Sequence, residues 1–184
     1  DAYNVAVGFS AGLTMTTGIR NVTLGSLAGS SLTTGGYNVA VGHQALATED
    51  AHGRNTAIGN NALANLNAGA DGYNVAVGYD SGLAMTTGVQ NVLMGGLAGD
   101  ALTVGDNNIA IGYKALSTSV DGDYNVAIGH SALEDYEDGV GNGHNTAVGS
   151  KSQFNATTGE YNTSLGSSSM GSGITTGDAN VALG

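Results

Sequence analysis

The side chains of this chain that could support catalysis or ligand binding are its carboxylates, four histidines and eight tyrosines; cysteine is absent. The acidic residues gather as Glu49-Asp50, Asp71, Asp121-Gly122-Asp123 and Glu134-Asp135-Tyr136-Glu137-Asp138. Calcium selects oxygen clusters of this kind, but the spacing follows neither an EF-hand loop nor the calcium-binding nonapeptide repeat. The expectation is solvated acidic loops and no cofactor, with calcium as the one ion such loops would take. His43, His52, His130 and His144 include no His-x-x-x-His pair and have no cysteine partner for zinc. There is no Gly-x-Ser-x-Gly elbow in an α/β setting. The string Gly139-Val140-Gly141-Asn142-Gly143 lacks the Lys-Ser/Thr ending of a phosphate loop. These residues are expected not to form an enzyme.

The aromatic residues are more ordered. Tyr3, Arg20, Tyr37, Arg54, Tyr73, Gln90, Asn107, Tyr124, His144, Tyr161 and Ala179 each precede an asparagine that opens the same short phrase. A guanidinium between two rings forms a cation–π stack worth about 0.5–1 kcal/mol per exposed contact. The Tyr/Arg alternation therefore reads first as a stabilised edge. The alternative is a surface-binding stripe of Tyr3, Tyr37, Tyr73, Tyr124 and Tyr161 that takes sugars. Phe9, His43, Tyr79, Tyr113 and His130 make a second, intermittent stripe just after the phrase.

The phrase itself organises the chain. It reads Asn, then Val, Ile or Thr, then a mostly small residue, an aliphatic residue and Gly. It starts at Asn4, Asn21, Asn38, Asn55, Asn74, Asn91, Asn108, Asn125, Asn145, Asn162 and Asn180, most often 17 residues apart. Self-similarity at such a period marks a stacked-repeat architecture, whose products are rods and repeated surfaces. Asn38-Val39-Ala40-Val41-Gly42 alternates as a strand does, and Gly42 ends it. Three residues beyond each phrase Gly stands Ala or Ser, the mark of a position pressed against neighbouring backbone. A second short strand is expected to follow, often ending in Thr-Thr-Gly as at Thr16-Thr17-Gly18, Thr33-Thr34-Gly35, Thr86-Thr87-Gly88, Thr157-Thr158-Gly159 and Thr175-Thr176-Gly177. Gly recurring twice per coil, at about 1 kcal/mol each relative to Ala, rules out helices of normal length.

The fold class expected is all-β: a β-solenoid, or parallel β-roll, of about ten 17-residue coils, roughly 50 Å long at a strand spacing of about 4.8 Å. Residues 1-184 form one array, read as a slice of a longer fibrous protein. It carries a four-coil super-repeat at 3-72 and 73-143 and divergent coils at 144-184. Within the super-repeat, coils with Gly12, Gly29, Gly82 and Gly99 alternate in pairs with coils carrying Leu46, Leu63, Leu116 and Leu133, which tandem duplication accounts for. The asparagines are expected to form a structural ladder, tolerating the left-handed region and bonding along the stack through their amides.

Composition narrows the partners. Hydrophobic residues make up 41% and charged residues 10%, the reverse of a disordered chain. Proline is absent, as suits strands paired on both sides. A net charge of -11 argues against nucleic acid and anionic membrane surfaces. No apolar run approaches the ~20 residues of a membrane span.

Asn-Val-Ala-Val-Gly-x-x-Ala and Asn-Thr-Ala-Ile-Gly-x-x-Ala-Leu, at Asn38 to Ala45 and Asn55 to Leu63, resemble the head repeats of trimeric autotransporter adhesins. They look even more like the Thr-Thr-Gly-x-x-Asn-Thr-Ala-Ile-Gly repeats of phage tail fibres. The resemblance covers nearly the whole chain. It implies left-handed parallel β-rolls assembled as homotrimers, displayed on a virion or bacterial surface and attaching to a cell-surface glycan or receptor. The residues point to self-association independently, because both faces of the phrase strand are apolar. The stripe Ala6, Ala40, Ala57, Ala76, Ala110, Ala127 and Ala147 is expected to face partner chains. Two other readings are a self-assembling extracellular matrix filament and, from the Thr-Thr stacks, an ice-binding solenoid.

Overall fold

The structure, a computed structural model, describes residues 2–136, 143–171 and 176–184. Each phrase forms one three-residue strand: β1 (Val5–Val7), β2 (Val22–Leu24), β3 (Val39–Val41), β4 (Thr56–Ile58), β5 (Val75–Val77), β6 (Val92–Met94), β7 (Ile109–Ile111), β8 (Val126–Ile128), β9 (Thr146–Val148), β10 (Thr163–Leu165) and β11 (Val181–Leu183). They pair in chain order into a single 11-stranded parallel sheet. The protein is the β-solenoid its repeat implies. Register never slips: Thr56 pairs with Val75 across a 19-residue coil and Val126 with Thr146 across a 20-residue coil. The extra residues are absorbed away from the strand.

Counting the phrase Asn as position 0, the strand ends at the Gly of position 4 for two reasons. Gly42 has φ +132, and a Cβ there would lie 2.2 Å from the Gly59 carbonyl oxygen of the next coil. The same close approach repeats at Gly8, Gly25, Gly59, Gly78 and Gly95, so stacked glycines form a continuous seam. The chain then turns through left-handed residues at positions 6 and 8, such as Gln44 and Leu46. The Gln44 N–H donates to Ser26 on one neighbouring coil (3.0 Å) and the Leu46 N–H to Ala62 on the other (3.0 Å). A left-handed non-glycine residue costs about 1–2 kcal/mol alone; here hydrogen bonding to both neighbours holds it. Position 7 between them is fully buried as Ala28, Ala45, Ala62, Ala98, Ala115 and Ala132, the small residue anticipated.

The expected second strand is absent among the described residues. Thr-Thr-Gly is a bend, with Thr33 and Thr34 both donating their N–H groups to the Asp50 carbonyl (2.7 and 3.2 Å). Thr hydroxyls still bond up the stack, Thr33 to Asp50 (2.9 Å) and Thr103 to Val120 (2.8 Å). Thr175 lies outside the described residues.

The inside–outside assignment of the strand is the reverse of the one expected. Ala40, Ala57, Ala76, Ala110, Ala127 and Ala147 are completely buried within the chain's own coils, so they cannot face partner chains. Ala6, in register with Thr23, occupies the same line at the open end of β1. The reason is parity. The phrase Asn turns inward, and side chains two apart on a strand share a face, so position 2 follows it in while positions 1 and 3 point out.

The core is therefore narrow, filled from positions 2, 8 and 11. Where position 8 is Gly, position 11 is Met15, Leu32, Met85 or Leu102; where position 8 is Leu, position 11 is Glu49, Leu66, Ser119 or Tyr136. The glycines bracket the bulkiest position-2 residues. A Cβ on Gly29 would meet Thr23 at 2.7 Å, and one on Gly82 or Gly99 would meet Leu93 at 2.8 or 2.9 Å. Around Thr23 and Leu93 the super-repeat is thus also a volume code, in which a small position 8 makes room for a larger position 2.

Candidate functional site

The asparagine ladder runs the length of the stack. Each Oδ1 accepts the backbone N–H of the next phrase Asn, as from Asn21 to Asn4 (2.8 Å), Asn38 to Asn21 (2.9 Å) and Asn108 to Asn91 (2.8 Å). Most Nδ2 groups reach a carbonyl near the end of their own coil, such as Asn21 to Gly35 (2.8 Å), Asn74 to Gly88 (2.9 Å) and Asn145 to Gly159 (2.8 Å), while Asn55 Nδ2 donates to the Gly53 carbonyl (3.2 Å). Asn38, Asn55, Asn125 and Asn162 are fully buried. With both ends of the amide engaged, the ladder is scaffold. The left-handed residue is the one before the asparagine, Tyr37 at φ 61 and Arg54 at φ 63, not the asparagine itself.

That left-handed kink turns the preceding side chain outward and stacks it on its equivalents. Arg20 lies 5.2 Å from the Tyr37 ring centroid; Arg54 lies 5.5 Å from both Tyr37 and Tyr73. Arg20 Nη1 also donates to the Tyr37 hydroxyl, and Arg54 pairs with Asp71. His144 stacks between Tyr124 and Tyr161 at 4.8 Å from each, within 6° of parallel. Tyr37 is flanked by two guanidinium groups and His144 by two rings. From Arg20 to Tyr73 and from Tyr124 to Tyr161 the stripe has the stacked geometry of a stabilised edge. In the second stripe Tyr113 and His130 stand 5.5 Å apart and tilted; Phe9 and Tyr79 are among the most exposed apolar side chains.

Five carboxylates, Glu49, Asp71, Asp106, Asp123 and Asp178, accept backbone N–H groups. Asp106 accepts the Val89 N–H (2.7 Å) and Asp123 the Asp106 N–H (2.6 Å), while Asp71 accepts from Gly53 (3.1 Å). Asp178 does the same for Glu160 (2.9 Å). These are one-rung versions of the asparagine ladder, a use that sequence spacing does not announce. Glu49 is the exceptional one: fully buried at a core position, it accepts N–H groups of His52 and Ala68 (3.0 Å each), with His52 Nδ1 3.7 Å away. Burial pushes its carboxyl above the ordinary value, opposed by those two hydrogen bonds. Asp50 brings a third ligand-type group to that corner, but both Glu49 oxygens already serve backbone amides on two coils. Burial likewise raises the Asp123 carboxyl. Glu137 and Asp138 of the longest acidic run, and Gly139 to Asn142 of the glycine string, lie outside the described residues.

Ser10 lies in the string Gly8-Phe9-Ser10-Ala11-Gly12, which has the letters of a nucleophile elbow, yet it is a left-handed corner residue equivalent to Leu27 and Gln44. Among the described residues no pocket opens, and no helix is long and apolar enough to cross a membrane. Also partly exposed is the outer face of the sheet, two columns at positions 1 and 3 that are aliphatic except for Thr56, Thr146 and Thr163.

Comparison with protein-family models, curated proteins and solved structures finds no match to this chain.

Proposed function

We propose that this chain is the structural and attachment segment of an extracellular fibre, a phage tail fibre or a bacterial surface adhesin, built as a homotrimer and presenting a repeated rod surface to a host or substratum. One observation carries the reading. Ten coil-to-coil steps hold strict register while the inward amides, with Asp71, Asp106, Asp123 and Asp178, are committed to hydrogen bonds between coils. Such a chain has rigidity and a repeated exterior rather than a reaction centre. The phrase resemblance supplies the extracellular setting. In this reading no cofactor is required, and the partner beyond the chain itself is a cell-surface glycan or protein receptor.

The test is binding of the purified segment to a glycan panel and to intact bacterial cells, alongside its mass by light scattering. Retention on cells or on a defined glycan, with a mass of three chains, supports the proposal. No retention on any of them removes the attachment role, and a mass distribution without an upper limit replaces the fibre with a polymerising matrix filament.

A further inference from the structure

We infer that the outer face of the sheet is the surface through which copies of this chain associate, in place of the alanine stripe. The inference rests on the self-assembly in the reading above and names the face that performs it.

The face is two unbroken columns. Position 1 reads Val, Val, Val, Thr, Val, Val, Ile, Val, Thr, Thr, Val from β1 to β11; position 3 reads Val, Leu, Val, Ile, Val, Met, Ile, Ile, Val, Leu, Leu. No charged residue and no glycine occurs in either. Leu24, Ile58, Met94 and Leu165 leave 46%, 38%, 42% and 52% of their surface in solvent, although each has a stacked neighbour on both sides. A sheet with one solvated face alternates apolar-in and polar-out; this one is apolar on both.

Three considerations select another copy of the chain as the occupant. The first is area. Eleven rungs at ~4.8 Å and a strand of ~10 Å make a face of roughly 500 Å², and the flanking outward residues at positions -1 and 5 bring it to roughly 1,000 Å². A stable interface takes about 800 Å² from each partner, whereas monomers rarely expose apolar patches beyond a few hundred Å². The second is charge. The molecule carries -11, and like-charged copies approach with least repulsion through a face whose two columns carry no charge and whose flanks hold Arg20 and Arg54 but no carboxylate. The same charge disfavours an anionic bilayer as the occupant, and a face with three Thr hydroxyls among its aliphatic side chains has little to offer a sugar. The third is period. A partner packing side chain between side chain along ~50 Å must repeat every ~4.8 Å, and an identical sheet does so by construction.

The chain supplies its own conservative substitution, since Thr56, Thr146 and Thr163 already occupy column positions in regular strands. A variant with Val75→Thr, Val77→Thr, Ile109→Thr and Ile111→Thr should keep its β circular dichroism and fall to single-chain mass by light scattering, at concentrations where the unsubstituted chain is oligomeric. A control with Thr86→Ser and Thr103→Ser, on the bend, should keep the oligomer. An independent measurement uses the absence of cysteine. Ile111→Cys should yield an interchain disulfide on mild oxidation at a protein concentration where Thr103→Cys yields none, whatever the folding of the fourfold variant. An oligomer that survives the fourfold substitution, or equal cross-linking at both positions, overturns the face while self-assembly stands. An unsubstituted chain of single-chain mass at all concentrations overturns both.

Discussion

Replacing Asn91 by Ala in the middle of the ladder tests the stitching of the stack most directly. Asn91 Oδ1 accepts the Asn108 N–H at 2.8 Å, and its Nδ2 donates to the Gly105 carbonyl at 2.8 Å. Asn91 and Asn108 are fully buried, so water cannot replace the amide. Two backbone groups lose their partners, and an orphaned buried group costs about 1–3 kcal/mol, so the loss is about 4 kcal/mol. Asn4 makes the matching bonds to Asn21 and Gly18 (2.8 and 2.7 Å) but sits half-buried at the end of the stack. Water reaches that end, and Asn4→Ala should cost only about 1 kcal/mol. Asn91→Asp keeps the acceptor for Asn108 but turns an oxygen toward the Gly105 carbonyl, so it should be no milder than Ala. Urea denaturation followed by circular dichroism gives the difference. Amide exchange at Asn108 locates it, because a repeat array need not unfold as one unit. An Asn91→Ala chain within about 0.5 kcal/mol of the parent, a typical surface effect, or no more destabilised than Asn4→Ala, would refute a ladder that holds coils together.

Gly42→Ala should abolish the ordered stack, since its Cβ would stand 2.2 Å from the Gly59 oxygen at φ +132; a soluble variant with parental β signal would contradict the seam. Gly99→Ala should be destabilising by about 2–3 kcal/mol alone but by only about 1 kcal/mol in a Leu93→Ala background, because every side-chain atom its Cβ would crowd belongs to Leu93. Additive effects in that double-mutant cycle would dismiss the volume code. Ala110→Asp should unfold the segment locally rather than release folded single chains, since Ala110 is wholly inside and an unpaired buried charge is strongly unfavourable; intact circular dichroism with a reduced mass would restore the outward alanine stripe. Burial raises the Glu49, Asp100 and Asp123 carboxyls above their ordinary values. The folded state then binds protons more tightly than the unfolded, so stability rises as pH falls from neutral toward the carboxylate range. The Tm should be higher near pH 5 than near pH 7, and a lower one would count against the sign.

Much of the site was legible before the structure, and the failures share a cause. The phrase Asn at a strand start, with period near 17, is enough to expect an amide ladder, and Gly42 and its equivalents are enough to expect bends. The expectation that the Ala40 side faces partner chains rested on both faces of the strand being apolar. It lost to a stronger constraint: an Asn whose amide bonds along the stack must face in, and two-residue parity carries Ala40 with it. The Thr-Thr-Gly segments read as strand from propensity, yet their N–H groups converge on one carbonyl of the next coil, which only the stacked geometry makes available. Glu49 read as a solvated loop residue because nothing local distinguishes it from Asp50; its burial depends on Ala68, 19 positions on, supplying an N–H.

The sequence alone determined the coil, its period, the parallel order of the strands and the ladder residues, because each is a local preference repeated until stacking enforces it. Tertiary structure decided which strand face is core, how position 8 and position 11 share one narrow section, and that the aliphatic columns lie outside. Those outcomes depend on the distance across a closed coil, a quantity set by where the chain returns rather than by any residue along the way.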